Sequence, residues 1–223
     1  EIDMDENGQY YLTIHTGSRS IGPAINDYFN RKGQENLKLK GISVPYEMTY
    51  VDDMLYVQYV DDVRKATEFA RLNRNRIRSI ICRKMKWDSE IEFNAPHNTI
   101  SDKSILCKGA ACEFDMENII YIPINMKDGI LYGELNAKNS DEWNYALPHG
   151  SGRLIKRSEV KNSVTLNMFK KEMDGVFSTS VSKDTLDESP FAYRRIDEIR
   201  EAVSDIVNVK GVLTPVYNFK GGN

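Results

Sequence analysis

The sequence predicts an α+β fold in which mixed or antiparallel β-sheets are flanked by helices. Residues 52–85 carry apolar side chains at three- and four-residue steps, a pattern typical of an amphipathic helix. Residues 119–135 are strand-like on both sides of Asp128-Gly129, a dipeptide that favours a tight hairpin turn. Helical and strand-like segments follow one another without a regular βαβ rhythm, which argues against a doubly wound parallel sheet.

Shorter patterns predict the remaining elements. They are a strand at 9–15, a short helix at 23–32, helices at 157–173 and 194–206, and a final strand at 207–219. Pro215 lies in the final strand and has no N–H to donate, so an edge position or a bend is expected there. The chain has no internal repeat or low-complexity linker, so residues 1–223 are expected to form a single unit.

Composition indicates a globular protein with a conventional core. The 223 residues are 40% hydrophobic and 28% charged, with a formal net charge of −3. No apolar run approaches the roughly 18–20 residues of a membrane span, so no membrane partner is expected. The cysteine count is odd and no CxxC pair occurs, which argues against a disulfide framework and indicates a reducing cytoplasm.

The second half of the long predicted helix is basic although the whole chain is acidic. Its basic residues are Arg71, Arg74, Arg76, Arg78, Arg83, Lys84 and Lys86. One interpretation is a solvated helix face. The other is a surface for an RNA backbone, where each neutralised phosphate would add salt-sensitive affinity.

The chain has only three histidines, and each lies beside small or turn-forming residues. They are His15 in His15-Thr16-Gly17-Ser18-Arg19, His97 in Pro96-His97-Asn98, and His149 in Pro148-His149-Gly150-Ser151-Gly152-Arg153. Glycine and serine next to a histidine allow a bulky anionic ligand to approach the backbone. A functional role is therefore favoured over an ordinary structural one for all three.

The segment around His149 is the most informative of the three. Backbone N–H groups of a turn containing Gly150, Ser151 and Gly152 can form an anion-binding nest. Arg153 offers a planar fork for phosphate oxygens. From the residues alone, the imidazole could be a metal ligand, a general base or a nucleophile toward phosphorus.

Read in order, the chain resembles the C-terminal half or more of an RtcB-family RNA ligase. The segments that carry the resemblance are His15 to Arg19, Asn73-Arg74, His97-Asn98, Lys108-Gly109-Ala110, Ile122 to Met126, His149 to Arg153, Asp187 to Tyr193, and Lys220-Gly221. Their joint order and spacing are specific, although none would suffice alone.

The resemblance implies a GTP- and Mn²⁺-dependent ligase that works through a histidine–GMP intermediate. It makes His149 the nucleophile, and it makes His15 and His97 manganese ligands. It also implies nucleotide contacts at Asn98, Pro123, Ile124, Asn125, Met126, Gly150, Ser151, Gly152, Tyr193 and Lys220. The expected RNA partner has a 3′-phosphate or 2′,3′-cyclic phosphate end and a 5′-hydroxyl end, as in tRNA splicing or RNA repair. An archease-like activator is one candidate protein partner.

Several positions depart from the family's pattern. Leu106 to Ala110 replaces its HRKGA segment, and Pro123 to Met126 replaces its PGSM turn. The remaining metal ligands of the family come from upstream DxxC and HGxGNH segments, which this sequence does not contain. The chain is therefore expected to be an incomplete family domain or a degenerate member. The alternative functions are a non-catalytic RNA- or nucleotide-binding relative and a metal-dependent phosphodiesterase.

Overall fold

A computed structural model describes residues 1–90, 93–100, 106–112, 119–136, 142–144 and 146–221. These residues divide into two compact units. The first unit combines residues 1–13 with residues from 109 onward, and the second unit covers residues 14–108. The expectation of one catalytic portion over residues 1–223 stays a prediction.

Helices and antiparallel strands share the chain, so the predicted α+β class is confirmed. The strands are β1 (Ile2–Met4), β2 (Tyr10–Leu12), β3 (Asn98–Ile100), β4 (Leu106–Lys108), β5 (Ala110–Cys112), β6 (Ile119–Asn125), β7 (Gly129–Leu135), β8 (Ala146–Pro148), β9 (Phe177–Ser178) and β10 (Val207–Asn218). The helices are α1 (Ile21–Leu39), α2 (Asp53–Met85), α3 (Val160–Ser163), α4 (Leu166–Glu172) and α5 (Ile196–Ala202).

The main sheet of the first unit has the order β2-β1-β10-β7-β6, and β9 pairs with the end of β10. These pairs are antiparallel except for β9 with β10. The β6–β7 hairpin turns at Asp128-Gly129 as predicted. Asn125 organises the turn, because its side-chain oxygen accepts from the backbone N–H groups of Lys127 at 2.9 Å and Asp128 at 2.8 Å.

An edge or a bend was expected at Pro215, and the edge alternative is wrong for the strand as a whole, because β10 lies between β1 and β7. Its first part pairs with β7 as far as Leu213, and its last part pairs with β1 from Thr214 onward. Pro215 is paired with Asp3, beside a register shift in β1. The proline is tolerated because the ladder with β7 has already ended at Leu213, so no N–H is required on that side.

Two apolar clusters form the core of the first unit. The first packs the inward side chains of β6 and β7 against α5, and it contains Ile120, Ile122, Leu131, Ile199 and Val203. Side chains alternate across a strand, so every second residue of β6 is buried in this cluster. The second cluster lies around α3 and α4, where Phe169 is fully buried and would cost about 3–5 kcal/mol to replace by alanine.

Helix boundaries were predicted with mixed success in this unit. The helix expected at 157–173 is interrupted, since Val164 is extended and Thr165 starts α4 by accepting a hydrogen bond from the backbone N–H of Met168. The helix expected at 194–206 is shorter and ends at Ala202. The break in the first helix coincides with the Thr165 side-chain cap, which begins a new helix.

The second unit consists of α1, α2 and the β3–β4 pair. The predicted long helix is confirmed as α2, whereas α1 is about twice as long as the helix expected at 23–32. Phe29, Gly33 and Leu37 form the buried stripe of α1 at four-residue spacing. A side chain at Gly33 would lie 2.8 Å from the backbone oxygen of Tyr50, so glycine allows this segment to pack closely.

Two further expectations concern cysteines and membranes. Cys82 is a free thiol, but Cys107 is disulfide-bonded, contrary to the expectation from the odd cysteine count. Among the residues that the structure describes, no helix combines the length and the apolarity that crossing a membrane requires.

Candidate functional site

The loop from His149 to Arg153 follows β8 and is fastened to the end of β6. The backbone N–H of Ser151 donates to the oxygen of Pro123 at 3.0 Å, and its hydroxyl donates to the oxygen of Ile124 at 2.8 Å. Ser151 is 4% exposed, so these bonds are protected from water. The structure therefore brings together two segments that the resemblance assigned to one nucleotide site.

Glycines surround the loop where a side chain would obstruct it. A Cβ at Gly109 would lie 3.4 Å from Nε2 of His149, and Gly109 itself has φ +64°. A Cβ at Gly150 would lie 3.4 Å from the oxygen of Pro123, while Gly152 has φ +74°. The imidazole therefore faces a backbone without a side chain. Gly109 was part of the recognised segment but was not predicted as a site residue.

Burial controls the protonation of His149. The half-buried position lowers the pKa of the imidazole below its usual value of 6.5, because desolvation disfavours the charged ring. The ring is consequently neutral at pH 7, the form that has a lone pair on one nitrogen.

Nuclear magnetic resonance can test this pKa directly. In the metal-free intact protein we expect the ring protons of His149 to titrate with a midpoint below 6.5, the value for an unstructured histidine peptide. Since the folded-state pKa is lowered, the associated stability is present above pH 6.5 and is lost as the pH falls through the folded-state value. The His149→Ala spectrum assigns the signal, and a midpoint at or above that of the peptide would contradict the prediction.

Arg153 is held by a cluster of protein groups at the other end of the loop. Its guanidinium donates to the backbone oxygen of Asp187 at 2.7 Å, to a carboxylate oxygen of Glu188 at 3.2 Å and to the hydroxyl of Tyr193 at 2.8 Å. The Tyr193 hydroxyl in turn donates to Glu188 at 2.8 Å. Burial, and next the charge of Glu188, raise the pKa of Tyr193, so the hydroxyl stays protonated at neutral pH. Sequence reasoning did not single out Glu188.

The segment from Pro123 to Met126 supports the loop mainly through its backbone. Ile124 and Met126 point into the two apolar clusters, and Met126 is 1% exposed. The backbone oxygen of Met126 accepts a hydrogen bond from the side-chain amide of Asn218 at 2.6 Å, and Asn125 is engaged in the hairpin turn. Direct nucleotide contacts from these four residues stay a prediction.

Lys220 lies just beyond β10, where it pairs with the start of the chain. Its ammonium is 3.1 Å from a carboxylate oxygen of Glu1, and its backbone N–H donates to the Ser180 hydroxyl at 2.8 Å. Asp3 is completely buried nearby in β1. Burial, and to a smaller degree the charge of Glu1, raise the pKa of Asp3 from 3.8 to about 6. Glu1 was not among the predicted site residues.

The second unit contains the other two histidines and Asn98. The ring centroids of His15 and His97 are 5.2 Å apart, and the rings are nearly perpendicular at 88°. This is the proximity that shared metal ligation would require, although the metal role itself stays a prediction. Within the described residues, no group of three or more histidine, cysteine, aspartate or glutamate side chains could hold a metal ion. Asn98 begins β3 opposite Lys108 and is exposed.

Three arginines of the basic stretch form hydrogen bonds or ion pairs with other residues of the protein. Arg71 pairs with Glu68 on the same helix, with the closest atoms 2.6 Å apart. Arg78 donates to the backbone oxygen of Ser89 at 3.0 Å, and Arg74 is bonded to Thr16 and Asn94. The guanidinium of Arg74 is therefore engaged by other residues of the same unit. An RNA role for the basic stretch stays a prediction.

The glycine-bordered His149 loop in the first unit and the His15–His97 pair in the second unit carry the motifs on which the family resemblance rests. A family model described as tRNA-splicing ligase RtcB matches residues 1–221. The chain belongs to the RtcB family.

Similar proteins carry names from the same family. The chain is 27% identical to the RNA-splicing ligase RtcB of Escherichia coli strain K12, over 99% of this chain and 58% of that protein. It is also 27% identical to the tRNA-splicing ligase RtcB of Aeropyrum pernix, over 87% of this chain and 48% of that protein. The chain thus spans about half the length of the curated relatives that it matches.

Proposed function

We propose that this chain is the nucleotide-accepting portion of a GTP- and Mn²⁺-dependent RNA ligase. The observation that carries the proposal is the His149 loop, in which a half-buried neutral imidazole faces Gly109 and is fixed on β6 through Ser151. Membership of the RtcB family and the names of the relatives support RNA ligation as the activity.

The proposed chemistry has three phosphoryl-transfer steps. A nitrogen of His149 attacks the α-phosphorus of GTP, forming a P–N bond while pyrophosphate leaves with the electron pair of the broken P–O bond. An oxygen of the RNA 3′-phosphate then attacks the same phosphorus, which restores the imidazole and leaves GMP on the RNA. Finally the 5′-hydroxyl of the second RNA end attacks the 3′-phosphorus and GMP departs. Positioning and charge neutralisation carry most of such catalysis.

The site residues have separate roles in the proposed chemistry. The N–H groups of Gly150 and Gly152 face the phosphates, while the N–H of Ser151 donates to Pro123 and anchors the loop. Arg153 keeps the loop attached to Glu188 and Tyr193, and Lys220 supplies a flexible donor to the nucleotide. His15 and His97 would supply imidazole nitrogens to Mn²⁺, and the remaining ligands would come from outside this pair. When bound, the metal would neutralise negative charge on the phosphates.

A ligation assay with the intact protein tests the function. Two labelled RNAs, one with a 3′-phosphate and one with a 5′-hydroxyl, are incubated with GTP and Mn²⁺, and product length is read by gel electrophoresis. We expect a joined product that requires GTP, and no joining of matched RNAs with 3′-hydroxyl and 5′-phosphate ends. RNA that is bound but not joined would identify a non-catalytic relative. RNA that is shortened would identify a phosphodiesterase.

A further inference from the structure

Arg74 lies in α2, and its guanidinium forms hydrogen bonds with two loops of the second unit. Nη1 donates to the backbone oxygen of Thr16 at 2.9 Å. On the other side, Nε and Nη2 both donate to the side-chain oxygen of Asn94, at 3.0 Å and 2.7 Å. A planar guanidinium can hold both acceptors at once, which a lysine ammonium on a flexible stem cannot do with the same geometry.

The two loops bonded to Arg74 are the ones that carry the histidine pair. Thr16 directly follows His15, and Asn94 lies three residues before His97. Thr16 and Asn94 lie outside regular secondary structure, and the nearest strand, β3, begins at Asn98, directly after His97. The ring centroids nevertheless lie 5.2 Å apart, in a perpendicular arrangement.

We propose that Arg74 is a positioning residue that holds the His15 and His97 loops in the relative placement needed for one shared metal ion. The inference rests on the proposed function. The metal-bearing loops depend on α2, a helix of 33 residues, for a rigid support. Groups that orient metal ligands without touching the metal typically change metal affinity about 10- to 100-fold when they are replaced.

The test measures Mn²⁺ binding rather than ligation. The intact protein is titrated with Mn²⁺, free metal is followed by electron paramagnetic resonance, and spin-echo modulation reports nitrogen ligation. Arg74→Lys keeps the charge and removes the fork, so we expect its affinity to fall about 10- to 100-fold and its nitrogen modulation to weaken. Arg71→Lys is the matched control, since its guanidinium pairs only with Glu68 among the contacts described above, and its affinity should stay at the wild-type level.

A second variant keeps the test decisive if Arg74→Lys fails to fold. Asn94→Ala removes one acceptor of the fork and leaves Arg74 in place, and it should also lower Mn²⁺ affinity while thermal melting of the metal-free protein stays close to the wild type. Wild-type affinity and nitrogen modulation in a folded Arg74→Lys or Asn94→Ala protein would overturn the positioning role alone. Unchanged Mn²⁺ binding in His15→Ala would instead overturn the metal assignment within the proposed function, and the positioning role with it.

Discussion

Replacing His149 by alanine is expected to abolish transfer of GMP from GTP to the protein. The imidazole is the group that would form the P–N bond, and alanine offers no lone pair in its place. Loss of a nucleophile removes most of the acceleration that a site provides, so labelling should fall by at least about a thousandfold. Folding should change little, by roughly 1 kcal/mol or less, because His149 is only half-buried.

Mass spectrometry of the intact protein after incubation with GTP and Mn²⁺ measures this loss. Tandem fragmentation then locates the GMP-sized increment on the peptide that contains His149. Lys220→Ala is the informative control, because a lysine could also accept GMP through a P–N bond. We expect Lys220→Ala to retain labelling at a higher GTP requirement, as suits a nucleotide contact. An increment that survives in His149→Ala, or one that maps to Lys220, would contradict the assignment.

Replacing Gly129 by alanine is expected to cause a much larger loss of stability than the same replacement at Gly17 or Gly175. Gly129 begins β7 with φ +78°, and a Cβ there would lie 2.0 Å from the backbone oxygen of Leu213 and 2.8 Å from Cδ of Pro215. The left-handed backbone costs roughly 1–2 kcal/mol for alanine. Displacing the neighbouring strand adds roughly 1–3 kcal/mol or more. This total is a large fraction of the ~5–15 kcal/mol that stabilises a typical domain.

Two other glycines separate the causes of that loss. Gly175 has φ +88° with open space around it, so Gly175→Ala should cost only the backbone strain. Gly17 has open space and no left-handed backbone, so Gly17→Ala should be nearly neutral. Urea unfolding of the intact variants gives the three free energies, and an insoluble Gly129→Ala protein would agree with the order. Equal losses for Gly129→Ala and Gly175→Ala would show that the β10 contact costs nothing.

Elements with a long or chemically distinctive local pattern were predictable from sequence. The α2 helix was placed within a residue of its observed start, because its apolar stripe is sustained over many turns. The β6–β7 turn followed from Asp128-Gly129. The position of Pro215 within the sheet could not be predicted. The proline is tolerated because the ladder with β7 ends at Leu213, and that ladder depends on strands distant in sequence. The break at Thr165 depended on a single capping side chain.

The candidate site could be predicted where the family resemblance assigned its residues and where glycines lie next to a histidine in the sequence. His149, Gly150 and Gly152 lie in one short segment, so their association needed no tertiary information. The bonds of Arg153 with Glu188 could not be foreseen, because attraction between opposite charges does not specify which of many carboxylates lies within reach. For Arg74 the charge pattern offered a solvated face or an RNA contact, whereas its acceptors in the structure are two uncharged oxygens within the protein.

The position of β10 between β1 and β7 has a consequence for the order of folding. β6 and β7 are adjacent in sequence and can pair as soon as both are synthesised. β1 (Ile2–Met4) instead pairs with β10 (Val207–Asn218), which is synthesised much later. Until β10 is synthesised, the β1–β2 pair lacks this partner strand, and a two-stranded ribbon by itself is marginally stable in water. Pairing of β1 with β10 is therefore a late event that closes a long loop between Met4 and Thr214.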